Sequence, residues 1–105
     1  MNLGFIGIGN IVSDVITGIS KSKIKYKNII ISPRNKKKAL FLKKYFKRVI
    51  IAKNNQEVIN RADWIFLGIL PKVGEAILPK LNFKNKQIVV SFMSTTNYPK
   101  LKKLI

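Results

Sequence analysis

The chain has 105 residues, of which 47% are hydrophobic, and its 21 basic and 4 acidic side chains give a formal net charge of +17. That length and composition predict one globular domain with a packed core. Because the sequence contains neither cysteine nor histidine, disulfides, thiol and imidazole catalysis and the usual zinc sites are excluded. We therefore expect no metal site and no catalytic side chain in this chain, so any chemistry must come from a bound cofactor or from residues outside it.

The apolar segments of the chain are short. None reaches the ~18 uninterrupted residues that a membrane-spanning helix needs. The first residues also lack the basic region of a signal peptide. We therefore expect a cytoplasmic protein without a membrane partner.

The positive charge is spread along the chain, and 18 of the 21 basic residues are lysines. Nucleic-acid recognition by base readout and stacking favours arginine interleaved with exposed aromatic side chains. Most of the aromatic residues instead lie in apolar, core-like settings: Phe5, Phe41, Phe46, Trp64 and Phe66. The pattern favours a solvated basic surface, and a basic nucleic-acid-binding module remains the alternative.

The chain opens with a short apolar run that ends in glycines and continues as an amphipathic segment. The run predicts a strand buried in a parallel sheet, formed by Leu3, Phe5, Ile6 and Ile8. The next segment predicts a helix over residues 10–20 or 10–22, with one apolar face made by Ile11, Val12, Val15, Ile16 and Ile19. This order of elements is how a dinucleotide-binding βαβ unit begins.

The glycines between this strand and this helix have distinct expected roles. Gly7 permits the tight turn out of the strand, and Gly9 lets the backbone approach a pyrophosphate. The anion would then lie at the amino end of the helix, at Asn10 and Ile11, where free N–H groups and the helix dipole favour negative charge. A glycine turn without a ligand is the alternative interpretation, because the spacing alone is a weak signal.

Strands and helices alternate along the rest of the chain. Further strands are predicted at residues 29–31, 49–51, 64–67 and 88–90. Further helices are predicted over residues 35–46, after the caps Asn54 and Asn55, after Pro71, and at the carboxyl terminus. Their inward faces are assigned to Ala39, Leu42 and Phe46, to Val58, Ile59 and Ala62, to Val73, Ala76, Ile77 and Leu81, and to Tyr98, Leu101, Leu104 and Ile105.

This alternation predicts the fold class. The strands show no period-two pattern, which is typical of strands buried on both faces of a parallel sheet under right-handed crossovers. We expect an α/β, Rossmann-like, doubly wound parallel sheet in a single three-layer domain, with strand order 3-2-1-4-5. The chain stops while its last predicted helix is still in progress, which we interpret as a truncation.

The residues after the second strand bear on cofactor choice. In dinucleotide-binding folds an acid at this place binds the ribose 2′-hydroxyl of NAD, whereas basic and hydroxyl groups accept a 2′-phosphate. Here Ser32, Arg34 and Asn35 occupy it, and no carboxylate is nearby. Arginine can hold phosphate through two hydrogen bonds. The segment therefore favours NADP(H). A second interpretation is purely structural, an Asn-capped helix after a proline turn, and it is compatible with the first.

Three segments carry a resemblance to a known family. Residues 4–11 read GFIGIGNI, residues 62–72 read ADWIFLGILPK, and residues 90–92 read VSF, followed by PKLKKL at residues 99–104. They resemble, in one register over essentially the whole chain, the "GFIGxGNM", "AD…FLAVKPQ" and "SI…AG…LEKLL" segments of the amino-terminal domain of the pyrroline-5-carboxylate reductase family.

The resemblance implies a function and further site residues. The family transfers a hydride from NAD(P)H to the C=N bond of 1-pyrroline-5-carboxylate, giving L-proline. Leu70 and Pro71 would border the nicotinamide ribose, and Ser91 and Met93 would lie under the ring. In the family a helical domain follows, which forms the dimer and holds the small imino-acid substrate. Since this domain is absent here, residues 1–105 are expected to bind the dinucleotide without turnover.

Three departures from the family pattern matter. Val12 stands where the family has alanine or glycine, Leu70 replaces a lysine, and residues 93–95 (MST) replace a small AAG run. They leave open a related NADP-dependent reductase with another substrate, one resembling the F420-dependent oxidoreductases.

Overall fold

The computed structural model describes residues 1–7 and 9–92. Its centre is a sheet of five parallel strands in the order β3-β2-β1-β4-β5. The strands are β1 (Asn2–Ile6), β2 (Asn28–Ile31), β3 (Val49–Ile51), β4 (Trp64–Leu67) and β5 (Ile88–Ser91). The predicted α/β, Rossmann-like, doubly wound fold and its strand order are confirmed.

Four helices connect the strands. They are α1 (Asn10–Lys21), α2 (Lys36–Tyr45), α3 (Asn55–Arg61) and α4 (Pro71–Ile77), the last followed by a 3₁₀ turn, Leu78–Lys80. Side-chain caps define where two of them begin, because an oxygen at the cap position accepts a first-turn N–H. Asn35 Oδ1 accepts from the Lys38 N–H at 3.2 Å, and Asn54 Oδ1 accepts from the Glu57 N–H at 2.9 Å.

The sheet separates two apolar clusters. Successive side chains of a strand point to opposite faces, so Phe5 lies with the α1 and α2 side chains, whereas Ile6 lies with those of α3. Both are fully buried. Burial on both faces explains why β1 and β2 read as continuous apolar runs.

Three residues expected to be buried, two on inward helix faces and Phe41 in a core-like setting, are exposed. Ile11 is 64% exposed and Phe41 is 56% exposed, and Ala76 is exposed as well. Each lies about 100° around its helix from the neighbour that takes the inward position: Val12 beside Ile11, and Leu42 beside Phe41. In α4 the buried positions are Gly74 and, just after the helix, Leu78. The expected terminal helix lies outside the described residues.

Candidate functional site

A cleft opens where the carboxyl ends of β1, β2 and β4 meet. Its cavity has a volume of about 400 Å³. The described residues that line it are Gly7, Gly9, Arg34, Asn35, Gly68, Ile69, Leu70 and Val73. In open α/β sheets ligands bind where the strand order reverses, which in this sheet is between β1 and β4. Five residues predicted from the sequence as a binding site therefore share one cavity.

Gly7 makes the turn out of β1 in a conformation that favours glycine. Its φ is +87°, and it is the only described residue with a positive φ. A Cβ at this position would overlap the Ile69 Cγ2 methyl and lie 2.6 Å from the Gly68 carbonyl oxygen. Both the backbone angle and the space thus require glycine here.

Gly9 leaves the amino end of α1 open. It occupies the cap position in an extended conformation with no side-chain cap, and the first turn of α1 holds no acidic side chain. A Cβ at Gly9 would meet no atom within 4 Å. Since the first N–H groups of a helix have no partner within it, this end can bind an anion that approaches the Gly9 backbone.

Ser32 supports the glycine turn from below. It is only 1% exposed, and its Oγ accepts a hydrogen bond from the Gly7 N–H at 3.2 Å. Its own N–H donates to the Phe5 carbonyl at 3.0 Å. Ser32, which was expected at the 2′-phosphate, is not among the described residues that line the cavity. Its observed contacts join the ends of β1 and β2.

Arg34 and Asn35 form the polar wall at the start of α2. Arg34 is exposed and lines the cavity. Asn35 caps α2 through its Oδ1, which leaves its side-chain amide N–H groups for a ligand. Among the described lining residues Arg34 carries the only charge and there is no carboxylate, so the electrostatic field in the cleft favours an anion.

The opposite wall is apolar and follows β4. Gly68 donates its N–H to the Ile6 carbonyl at 2.9 Å, which fixes this wall to β1. Leu70 is 73% exposed at the rim, and it lines the cavity with Ile69 and Val73. Gly68, Ile69 and Val73 were not predicted as site residues. The signal that could have found them is that parallel strands end at one edge, so residues after β4 lie beside the glycine turn.

Five further residues were predicted as part of the site: Asn10, Ile11, Pro71, Ser91 and Met93. Asn10 and Pro71 begin α1 and α4. Ile11 is exposed and outside the described lining. Ser91 ends β5 opposite Leu67 and is also outside that lining. Met93 is not among the described residues.

The part of the chain that the structure describes offers neither a metal-ligand cluster nor a membrane-spanning helix. No group of three or more acidic side chains there is placed to hold a metal ion. None of the helices described is sufficiently long and apolar to span a membrane.

Comparisons with known proteins agree with this geometry. The model of the family described as "NADP oxidoreductase coenzyme F420-dependent" matches residues 2–95. The pyrroline-5-carboxylate reductase of Staphylococcus saprophyticus is 31% identical over 96 residues, which cover 86% of this chain and 35% of that protein. A crystal structure of 1-pyrroline-5-carboxylate reductase from Streptococcus pyogenes superposes with a TM-score of 0.81 at 26% identity, covering 99% of this chain and 38% of that one. The chain thus spans little more than a third of the length of these two relatives.

Proposed function

Since the chain belongs to the F420-dependent NADP oxidoreductase family, whose model matches residues 2–95, we propose that it is the NADP(H)-binding domain of a pyrroline-5-carboxylate reductase-like enzyme. The reaction is hydride transfer to the C=N bond of 1-pyrroline-5-carboxylate, giving L-proline. One observation carries the proposal: the glycine turn with its positive φ at Gly7, the open end of α1 and Arg34 all face one cavity.

The residues of the cleft fit the successive parts of the dinucleotide. Gly7 and Gly9 hold the pyrophosphate at the amino end of α1, with Asn10 and Ile11 supplying backbone N–H groups. The cavity of about 400 Å³ is within the range of ligand sites. When bound, the nicotinamide supplies the hydride.

The charged wall supports NADP(H) over NAD(H). The Arg34 guanidinium can hold the 2′-phosphate through two charge-assisted hydrogen bonds, and the Asn35 amide adds a donor. No described residue of the lining is acidic, so nothing there selects a free 2′-hydroxyl.

The other end of the cleft is assigned to the nicotinamide half. Leu70 and Pro71 border its ribose, and Ser91 and Met93 lie beneath the ring. Ser91 ends β5, the strand next to β4 at this edge of the sheet.

The substrate requires groups that the described cleft does not provide. We propose that a further helical domain of the full-length enzyme holds the imine and the carboxylate of the small imino acid and forms the oligomer. Hydride transfer needs the acceptor carbon in a near-attack geometry, so residues 1–105 alone are expected to bind NADPH without turnover.

The experiment is calorimetric titration of the chain with NADPH and NADH, for the native protein and for Arg34→Gln. We expect tighter binding of NADPH. Arg34→Gln should weaken NADPH binding by about 1.5–3 kcal/mol, the usual contribution of a hydrogen bond to a charged group, and leave NADH binding nearly unchanged. The matched control is Arg61→Gln, which removes the same charge from the exposed last residue of α3 and should change neither affinity.

Two results would contradict the proposal at different levels. If NADH binds as tightly as NADPH, the preference for the 2′-phosphate is wrong. If neither dinucleotide binds, the cleft does not have the assigned function.

A second candidate is a related reductase that exchanges hydride between NADPH and coenzyme F420. The description of the matched family and the apolar Leu70 at the rim favour it. The discriminating measurement is reduction of F420 by NADPH, compared with reduction of 1-pyrroline-5-carboxylate, using the full-length enzyme.

A further inference from the structure

The outer side of α2 carries two exposed aromatic rings. Phe41 is 56% exposed and Tyr45 is 62% exposed. They lie one helical turn apart, on the same face, with their ring centroids at 4.6 Å and their planes at 43°. This pair is separate from the stack of the buried Phe5 on the half-buried Phe66, and neither ring is among the described residues that line the cofactor cleft.

Exposed cations surround these rings. Lys37 and Lys44 lie on the same side of α2, and Lys47 and Arg48 follow its end, all exposed. The sequence holds no acidic residue between Asp14 and Glu57, so the segment that builds this side has no carboxylate of its own. We call Lys37, Phe41, Lys44, Tyr45, Lys47 and Arg48 the α2 surface.

A second concavity continues the α2 surface. It has a volume of about 380 Å³ and is lined by hydroxyl groups, rings and cations from the ends of α1 and α2, including Ser20, Ser22, Tyr26, Tyr45 and Arg48. The Arg48 guanidinium lies 5.2 Å from the centre of the Tyr26 ring, and its Nη1 donates to the Tyr26 carbonyl at 2.9 Å. The concavity lies at the amino ends of β2 and β3, the edge of the sheet opposite the cofactor cleft.

We propose that the α2 surface binds single-stranded nucleic acid. Aromatic rings exposed beside cations are the arrangement that holds single strands, because every unpaired base offers a face for stacking and every phosphate a charge to neutralise. The composition of the chain pointed away from nucleic acid partly because Phe41 was assigned to the core. Because Phe41 is exposed, its ring is free to stack on a base, and that reason against nucleic acid no longer holds.

The geometry favours a single strand over an anionic membrane. An interfacial helix buries a continuous apolar face in the lipid. In α2 Ala39 and Leu42 are buried in the core, and although Leu40 is exposed beside the two rings, Lys37 and Lys44 lie between Leu40 and Phe41 around the helix and interrupt any continuous apolar face. Duplex nucleic acid is disfavoured as well, because its paired and stacked bases leave no free face for Phe41 and Tyr45.

The experiment is fluorescence anisotropy of labelled dT and U oligonucleotides of about 12 nucleotides, long enough for a typical single-strand site. The key variant is Phe41→Ala with Tyr45→Ala, which keeps every charge. Both side chains are exposed, so the fold should persist, and circular dichroism checks this. We expect its affinity to fall about tenfold or more for each ring that stacks on a base.

Matched lysine variants separate this surface from general charge. Lys44→Gln with Lys47→Gln should weaken binding and reduce its salt dependence. Lys80→Gln with Lys86→Gln removes the same charge from exposed positions far along the chain and should have a much smaller effect. Single strands give a slope of log affinity against log salt of roughly −0.7 per phosphate neutralised, so four cations predict about −2.8.

Several outcomes would overturn the proposal. If the native chain and the double aromatic variant bind oligonucleotides with equal affinity, the interaction depends on net charge and not on the rings. The same conclusion follows if the two lysine-pair variants lose equal amounts of affinity. Binding to vesicles containing phosphatidylserine but not to oligonucleotides would identify a membrane surface instead. Saturating NADPH should leave oligonucleotide binding unchanged, because the two sites lie at opposite edges. A chain that fails to bind NADPH can therefore still bind oligonucleotides, so the two proposals can fail independently.

Discussion

At the scale of single residues, the cleft depends on how Gly7 is held. Its φ of +87° and the nearby Gly68 carbonyl leave no room for a side chain, and the buried Ser32 hydroxyl accepts its N–H. The turn is therefore fixed in the fold before any ligand binds. Gly9, by contrast, has no neighbour that excludes a Cβ. A side chain there should therefore leave the fold intact and weaken ligand binding.

Alanine at the two glycines should separate folding from binding. Gly7→Ala adds backbone strain and an overlap with Ile69, and we expect the free energy of unfolding to fall by about 2–4 kcal/mol. Gly9→Ala should cost less than about 1 kcal/mol, the difference between glycine and alanine at a helix cap. It should nonetheless weaken NADPH binding, because the added methyl blocks the backbone approach. Urea unfolding and NADPH titration measure the two effects, and equal stability losses in both variants would contradict this account.

Single residues were predicted unevenly from the sequence. Gly7, Gly9 and Arg34 were predicted as site residues from residue type and spacing, and the structure brings them to one cavity. Ser32 was expected at the 2′-phosphate, and the structure adds that its Oγ accepts the Gly7 N–H. Which way a hydroxyl points depends on a strand neighbour that is 25 residues away in sequence, and local spacing does not contain that information.

At the scale of elements, one side-chain contact sets how α1 packs beside β4. Val12 in the first turn of α1 is 1% exposed, and its Cγ2 methyl occupies the volume that a Cβ at Gly68 would need. The third position of a dinucleotide motif is usually small because helix and strand approach closely there. In this chain the larger side chain, Val12, is on the helix, and Gly68 on the turn after β4 leaves the space that Val12 fills.

A double-mutant cycle tests this exchange of volume. Gly68→Ala should destabilise the fold by about 1–3 kcal/mol through overpacking, and Val12→Ala should destabilise it through the loss of buried methyl groups. The double variant should be more stable than the sum of the two losses predicts, because alanine at both positions relieves the overlap. Urea unfolding of the four proteins gives the coupling energy, and additive effects would show that the two residues do not interact.

Elements were predicted better than their faces. The four strands after β1 were placed to within one residue, because a parallel strand that is buried on both faces is apolar along its whole length, as residues 29–31 are. The first strand was predicted to include Ile8, which lies outside the described residues, whereas β1 ends at Ile6. Asn35 and Asn54 marked the starts of α2 and α3 through their capping oxygens. The inward face predicted for Ile11 and the core-like setting predicted for Phe41 were wrong, because an apolar residue adjacent to the inward stripe looks the same in sequence whether it is buried or exposed.

At the scale of the whole molecule, the charge is the dominant feature. The chain carries 21 basic and 4 acidic side chains in a body with extents of 35 × 28 × 24 Å. At ~0.01 M salt the screening length is about 30 Å, so each cation interacts with most of the others, whereas at ~0.15 M it is about 8 Å. Like-charge repulsion of this kind destabilises the compact state.

Stability should therefore rise with salt. We expect the melting temperature to increase between about 0.01 M and 0.15 M sodium chloride, as the screening length falls below the size of the molecule. The variant Lys80→Gln with Lys86→Gln, which has less charge to screen, should show a smaller increase. Differential scanning calorimetry gives both values. A melting temperature independent of salt would show that the cations are already solvated without mutual cost.

The contact of Val12 with Gly68 also constrains the order of substitutions by which such a pair can arise. In a lineage that starts with alanine at both positions, valine at position 12 first would overlap the alanine methyl at position 68. Glycine at position 68 first would leave only a small cavity, which valine could then fill. The less destabilising path therefore shrinks the strand turn before it enlarges the helix, and once both changes are present, reversal at position 68 alone carries the cost of overpacking.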